Sequence, residues 1–169
     1  MGVRLNVFEV FEIAERIERN GARFYRKAAE LFDDPGTRKL LLQVADWEIK
    51  HEQVFAIMRK QLSEQRPELK AFQPEDDLVP VAQAMAGLAV FGGQPDPAQE
   101  LTSKHSKEDI LKIAIRKEQH SIVYYVGLKS FVPDQVGKEK IDDIIEEEMR
   151  HIGILNQSLQ WRQSLNVNG

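Results

Sequence analysis

Apolar residues recur along this chain in alternating steps of three and four, in four separate stretches. That period places them on one face of a helix. The first face reads Phe11, Ala14, Glu18, Gly21, Tyr25, Ala28 and Phe32, which predicts a helix over about 6–32. Asp34-Pro35 then supplies an N-cap and a helix-starting proline. The second face is Leu41, Val44, Glu48, His51, Phe55, Met58 and Leu62, in a helix over 36–65 bounded by Pro67. Ser106 with Asp109 forms a capping-box pattern, opening a third helix over 106–132. Its face runs Leu111, Ala114, Glu118, Ser121, Tyr125, Leu128 and Val132. Pro133-Asp134 breaks the chain before a fourth helix, 134–162, with Ile141, Ile144, Glu148, His151, Leu155 and Ser158 on one face, fading near Arg162.

Residues 66–105 have a different character. Pro67, Pro74, Pro80, Pro95, Pro97 and Gly92-Gly93 mark a connector rather than a bundle helix. Within it, Val81 to Phe91 is apolar and Ala-rich and predicts a short helix. Met85, Leu88 and Phe91 there read as covering the side of the bundle, with a subunit interface as the alternative. A helix of about 25 residues spans ~38 Å. The connector is long enough to cross that distance, so the third helix can start at the far end of the second. The expected fold is therefore all-α: one antiparallel four-helix domain over 1–169, with a long crossover.

The two halves repeat each other at an offset of 100 positions. Ile13-Ala14 recurs as Ile113-Ala114, Arg16 as Arg116, Tyr25 as Tyr125 and Asp34 as Asp134. This is the pattern of a duplicated αα-hairpin. Set into it, where Leu or Val would be expected, are Glu18, Glu48 and His51 in the first half and Glu118, Glu148 and His151 in the second. Ionised carboxylates are rarely buried without a partner. Four of them at one level would repel, and some would stay protonated. Two divalent cations remove that conflict. In Glu-x-x-His the two residues are neighbours on one helical face. One Glu-x-x-His alone reads as a surface salt bridge or a core histidine. Two copies, each preceded by an in-face Glu at the same distance, read as the ligand set of a two-metal centre. Pseudo-symmetry assigns Glu48 and Glu148 as bridging, His51 and His151 as one per ion, and Glu18 and Glu118 as terminal. Oxygen-rich ligation with one imidazole per ion suits iron or manganese, and zinc or cobalt fit the same donors in vitro. Two iron ions per chain are expected if the site is redox-active.

Composition narrows the picture further. The chain has 169 residues, 42% of them hydrophobic and 30% charged, as in ordinary soluble proteins. A net charge of −4 with no basic run argues against nucleic acid as a partner. Four ligand carboxylates alone would carry that much charge. There is no cysteine, which excludes disulfides, Cys-ligated metals and a thiol nucleophile. Arg4, Glu9 and Glu12 interrupt the N-terminal stretch, so no signal peptide is expected. No window approaches ~18 apolar residues, so no membrane span is expected, and the expected compartment is the cytoplasm.

These features resemble the ferritin-like di-iron carboxylate proteins. Glu18-Arg19-Asn20-Gly21-Ala22-Arg23-Phe24-Tyr25 resembles the first helix of rubrerythrins, and Glu148-Met149-Arg150-His151 their last. The resemblance covers all four helices but not the connector. It implies an oxidoreductase that reduces peroxide or O2. With no cysteine there is no rubredoxin iron in this chain, so the donor would be another molecule, such as a rubredoxin-like protein. Typical rubrerythrins carry an additional Glu one turn beyond the third-helix ligand, where this chain has Ser121. Bacterioferritins share the six-residue ligand set, so a ferroxidase or iron-storage role is one alternative. A bundle stabilised by metal, or sensing it, is another. A homodimer is the expected assembly.

Other residues have plainer readings. Gly21 and Ser121 read as close helix packing, or as room for an oxygen species. Tyr25 and Tyr125, ~10 Å along the axis from Glu18 and Glu118, read as core aromatics with satisfied hydroxyls, or as partners of the site. Trp47 reads as plain packing. His105 and His120 read as solvated. Glu52, Glu146 and Glu147 flank ligands but point elsewhere, and read as solvated or as supports that hold a ligand in place.

Overall fold

Four helices account for the core. The computed structural model describes residues 6–70, 101–102, 104–132 and 137–167. Helix α1 spans Val7–Glu30, α2 Pro35–Gln65, α3 Lys107–Leu128 and α4 Lys138–Val167; a 3-10 turn, Pro67–Lys70, follows α2. Residues 71–100, and with them the expected helix over Val81 to Phe91, lie outside the described residues.

The helix starts follow local chemistry. Asn6 caps α1: its side chain accepts from the Phe8 and Glu9 amides at 2.9 and 3.0 Å, while Glu9 returns to the Asn6 amide at 2.8 Å. Asp34 accepts from the Thr37 amide at 2.8 Å, with Pro35 in the first turn of α2. Ser106 and Asp109 exchange the same kind of bonds at the start of α3, at 3.0 and 3.1 Å. Gly137, just before α4, has φ +85°, a conformation that favours glycine.

Helix α1 stops at Glu30 rather than 32 and helix α4 begins at Lys138 rather than 134, and two further ends differ by several residues. Helix α3 stops at Leu128 rather than 132, because the Ser130, Phe131 and Val132 amides reach back only three residues, in tightened turns ahead of Pro133. Helix α4 runs on to Val167, past the point where its apolar face fades. There Arg162 pairs with Asp34 and lies 4.6 Å over the Phe32 ring, tying the end of α4 to the α1–α2 corner.

Cross-helix contacts fix the topology. Helices α1 and α2 run antiparallel, with Arg59 bonding Glu15 near one end and Arg26 facing Asp46 nearer the other. Helices α3 and α4 do the same, with Lys129 beside Asp142. Lys107, at the start of α3, lies 2.6 Å from Asp33, at the start of α2. Helix α3 therefore begins at the opposite end of the bundle from where α2 finishes, which requires the long crossover. Among the described residues no helix is long and apolar enough to cross a membrane.

The core falls into two apolar clusters. One, around Phe11, Phe55, Leu62, Tyr124 and Leu128, fills one end. The other, around Phe24, Phe32, Leu41, Val44 and Leu111, fills the opposite end. Every residue of the four sequence-defined faces is buried except Gly21 and Ser158, which are partly so. Between the clusters lies a layer of ionisable side chains.

Candidate metal centre

All six sequence-predicted ligands lie in that layer: Glu18 from α1, Glu48 and His51 from α2, Glu118 from α3, and Glu148 and His151 from α4. None is more than 3% exposed. Their donor atoms fall into two overlapping groups. Glu18, Glu48, His51 and Glu148 form one, and Glu48, Glu118, Glu148 and His151 the other; within each, one donor atom per residue lies within 4.8 Å of the rest. Glu48 and Glu148 belong to both groups, and each histidine to one.

Both imidazoles present Nδ1 to the layer. His51 Nδ1 is 2.9 Å from Glu148 and 3.5 Å from Glu18. His151 Nδ1 is 3.0 Å from Glu148, 3.6 Å from Glu48 and 3.8 Å from Glu118. The two rings stack with centroids 5.8 Å apart. Despite this crowding, Glu18 Oε2, Glu48 Oε1, His51 Nδ1 and Glu148 Oε1 are buried without a hydrogen-bond partner of acceptable geometry. Buried polar atoms are normally satisfied. Four orphaned donor atoms aimed at one layer fit a set of metal ligands, and both the residue types and their sharing between two groups fit a pair of ions.

Without cations the charges are held by protons. Burial, and then the Glu118, Glu148 and Glu18 charges, push the Glu48 pKa well up. Burial and the Glu148 charge raise Glu118 to about 8. Burial disfavours the His51 charge, but the facing Glu148 and Glu18 carboxylates override it and raise His51 to about 11. His151 rises to about 9, with burial again outweighed by Glu118 and Glu148. Glu148 moves the other way: hydrogen bonds from Glu118 and both histidines offset its burial and lower its pKa. The layer thus stores protons that a cation would displace.

Other residues of the same periodic faces also reach the layer. The Tyr25 hydroxyl donates to Glu118, and the Tyr125 hydroxyl to Glu18, each across the bundle. Both readings of these tyrosines hold: the rings are core aromatics with satisfied hydroxyls, and the partners of those hydroxyls are carboxylates of the site. Gly21 is a point of close approach between α1 and α2, and what approaches it is a carboxylate of the site. A Cβ there would sit 2.3 Å from Glu48 Oε2, so its missing side chain makes room for the shared carboxylate. Ser121, its counterpart, bonds its hydroxyl to the Lys117 carbonyl at 3.1 Å and contributes no ligand atom to either group.

Of the flanking residues, Glu147 takes the supporting role, and Trp47 packs on a ligand of the neighbouring helix. Glu147 Oε2 lies 2.9 Å from His51 Nε2, holding the ring edge that faces away from the layer. Trp47 stacks on His151, with centroids 4.9 Å apart and planes 10° from parallel. Each sits immediately before a shared glutamate and reaches the histidine of the opposing helix, a signal the repeat itself contains. Glu52 and Glu146 do point elsewhere, to Arg19 and Arg150. His105 accepts from the Thr102 amide at 3.2 Å, and His120 is exposed, off the layer.

No protein-family model and no curated protein matches this sequence. A solved structure does. It is that of a Thermotoga maritima protein described as a candidate ferritin-like diiron-carboxylate protein, with a TM-score of 0.64 and 21% identity over 95% of this chain and 98% of that one. The chain has the ferritin-like four-helix fold.

Proposed function

We propose that this protein binds two iron ions through Glu18, Glu48, His51, Glu118, Glu148 and His151, and reduces peroxide or O2 with electrons from an external donor. The observation that carries the reading is the set of four orphaned donor atoms converging in a layer whose two shared members are Glu48 and Glu148. The description of the Thermotoga protein as diiron-carboxylate supports the same metal. The resemblance to rubrerythrins supports the reaction.

When bound, two ferrous ions would supply the two electrons that convert one peroxide, with two protons, to two waters; the donor would then restore them. The chain's own groups do the rest. Glu48 and Glu148 belong to both ligand groups and would hold the ions together. Tyr25 and Tyr125 fix one oxygen each of Glu118 and Glu18 and leave the other oxygen free to ligate. The space at Gly21 lets the Glu48 carboxylate lie against α1, where a side chain would displace it. The apolar clusters at both ends keep bulk water from the layer. A homodimer in the cytoplasm, with a rubredoxin-like donor, completes the reading.

The test is single-turnover mixing. Ferrous-loaded protein mixed with peroxide should oxidise rapidly, and Glu48→Ala and His151→Ala should abolish steady-state peroxide consumption. Unchanged turnover in both variants would refute the assignment. Oxidation by O2 alone with mineral growth in a many-subunit shell would favour iron storage instead.

A further inference from the structure

The repeat that builds the layer is broken at a pair of positions that each touch a histidine of it. Residues 47 and 147 are equivalent by the 100-residue offset, each directly before a shared glutamate. One is Trp and the other Glu, and both lie against a histidine of the layer. The two histidines therefore have chemically different supports.

His51 turns Nδ1 to the layer and Nε2 to Glu147, at 2.9 Å. An imidazole that ligates through Nδ1 carries its proton on Nε2 and donates it to that carboxylate. Such a bond fixes the ring and makes the ligating nitrogen a stronger donor. His151 has Trp47 against its face. An indole N–H can only donate, so Trp47 cannot accept the Nε2 proton or add negative charge. It provides a flat apolar wall that orients the ring.

Resting on the di-metal reading, we propose that the two positions are filled in a fixed order. The position of Glu18, Glu48, His51 and Glu148 fills first and more tightly; the position of Glu48, Glu118, Glu148 and His151 fills second. Glu147 is the positioning residue that sets the order. Repulsion between two ions sharing two carboxylates would separate the steps even in a symmetric site. The exchange of Trp for Glu decides which position takes the first ion. The Glu147 side chain is 44% exposed, which screens its charge. The expected effect of neutralising it therefore lies at the low end of the range for such supports, about tenfold in affinity.

The experiment titrates Mn2+ into metal-free full-length protein, by calorimetry and by fluorescence. The chain has two tryptophans, so Trp161→Phe leaves Trp47 as the sole indole, seated on the second position's histidine. Both ions lie close to this indole, but the second, bound to the histidine under it, should quench its emission more than the first. Glu147→Gln should weaken the first calorimetric step about tenfold and leave the second within about twofold. A merely structural role for Glu147 would weaken both steps alike. Stronger quenching of Trp47 by the first equivalent than by the second, or a Glu147→Gln protein with both steps unaltered or equally weakened, would overturn the order while leaving a two-ion site intact. Binding of no Mn2+ would overturn the di-metal reading and this inference together.

Discussion

The Tyr25 hydroxyl, on α1, donates to the Glu118 carboxylate, on α3, and Tyr125 on α3 returns the same bond to Glu18 on α1. The exchange is the pseudo-two-fold axis expressed in side chains. Each ring belongs to one apolar cluster and reaches only its hydroxyl into the layer. Burial, followed by the neighbouring carboxylates, raises both phenol pKa values far above their ordinary range. They therefore remain protonated, and so donors, through the neutral range.

Removing one of these donors strands a buried carboxylate oxygen. Tyr25→Phe and Tyr125→Phe should each cost about 1–3 kcal/mol, read as a lowered midpoint in urea denaturation of the metal-free protein. The symmetry predicts similar losses for the two. A loss in one variant only would show that the exchange is not equivalent on the two sides.

Gly21→Ala separates folding from binding. Alanine in a helix interior is favoured over glycine by about 1 kcal/mol. The obstacle its Cβ meets is the far end of a flexible side chain, Glu48. Thermal stability of the metal-free protein should stay within about 1 kcal/mol of the parent, while metal affinity, measured by calorimetry, falls. An affinity equal to the parent's would show that Glu48 has other room.

The metal-free protein should lose stability as pH rises. Glu118 titrates at about 8 in the folded layer, against an ordinary value near 4.5. His51 titrates at about 11 and His151 at about 9, against 6.5. In each case the folded chain holds its proton more tightly than the unfolded chain, so stability falls with pH between the two values. The stabilising histidine contributions are fully present below about pH 6.5 and are lost through about 9 and 11. The melting temperature should therefore drop between pH 6 and pH 9 without metal, and the slope should flatten or reverse once cations replace the protons. A metal-free melting temperature that rises across this interval would contradict the charge pattern of the layer.

Arg59 is a control away from the layer. It forms a two-pronged pair with the buried Glu15, at 2.6 and 3.1 Å, and also reaches Glu12. Arg59→Ala should cost about 1–3 kcal/mol by leaving Glu15 unpaired, with metal content unchanged by elemental analysis.

The four helices and the six-residue layer were legible because both depend on one period. The alternation that buries Phe11, Val44, Leu111 and Ile144 carries Glu18, Glu48, Glu118 and Glu148 into the same interior, and the caps at Asp34 and Ser106 are short-range chemistry. A supporting role for Glu147 was legible, but the partners of Glu147 and Trp47 were not, because both lie off the stripe and meet the neighbouring helix, a contact set by how α2 and α4 face each other. Gly21 was ambiguous for a related reason: spacing shows that a small residue is needed, but not that the neighbour is a carboxylate. The end of α3 depends on turn geometry after Leu128, and the end of α4 on Arg162 reaching Asp34, neither of which periodicity encodes.

The most direct test is the anomalous scattering of crystals grown from protein loaded with iron or manganese. Two peaks per chain are predicted between the apolar clusters, one beside His51 and one beside His151, each in reach of both Glu48 and Glu148. A buried layer with no peak, or ions seated only among surface carboxylates, would contradict the account.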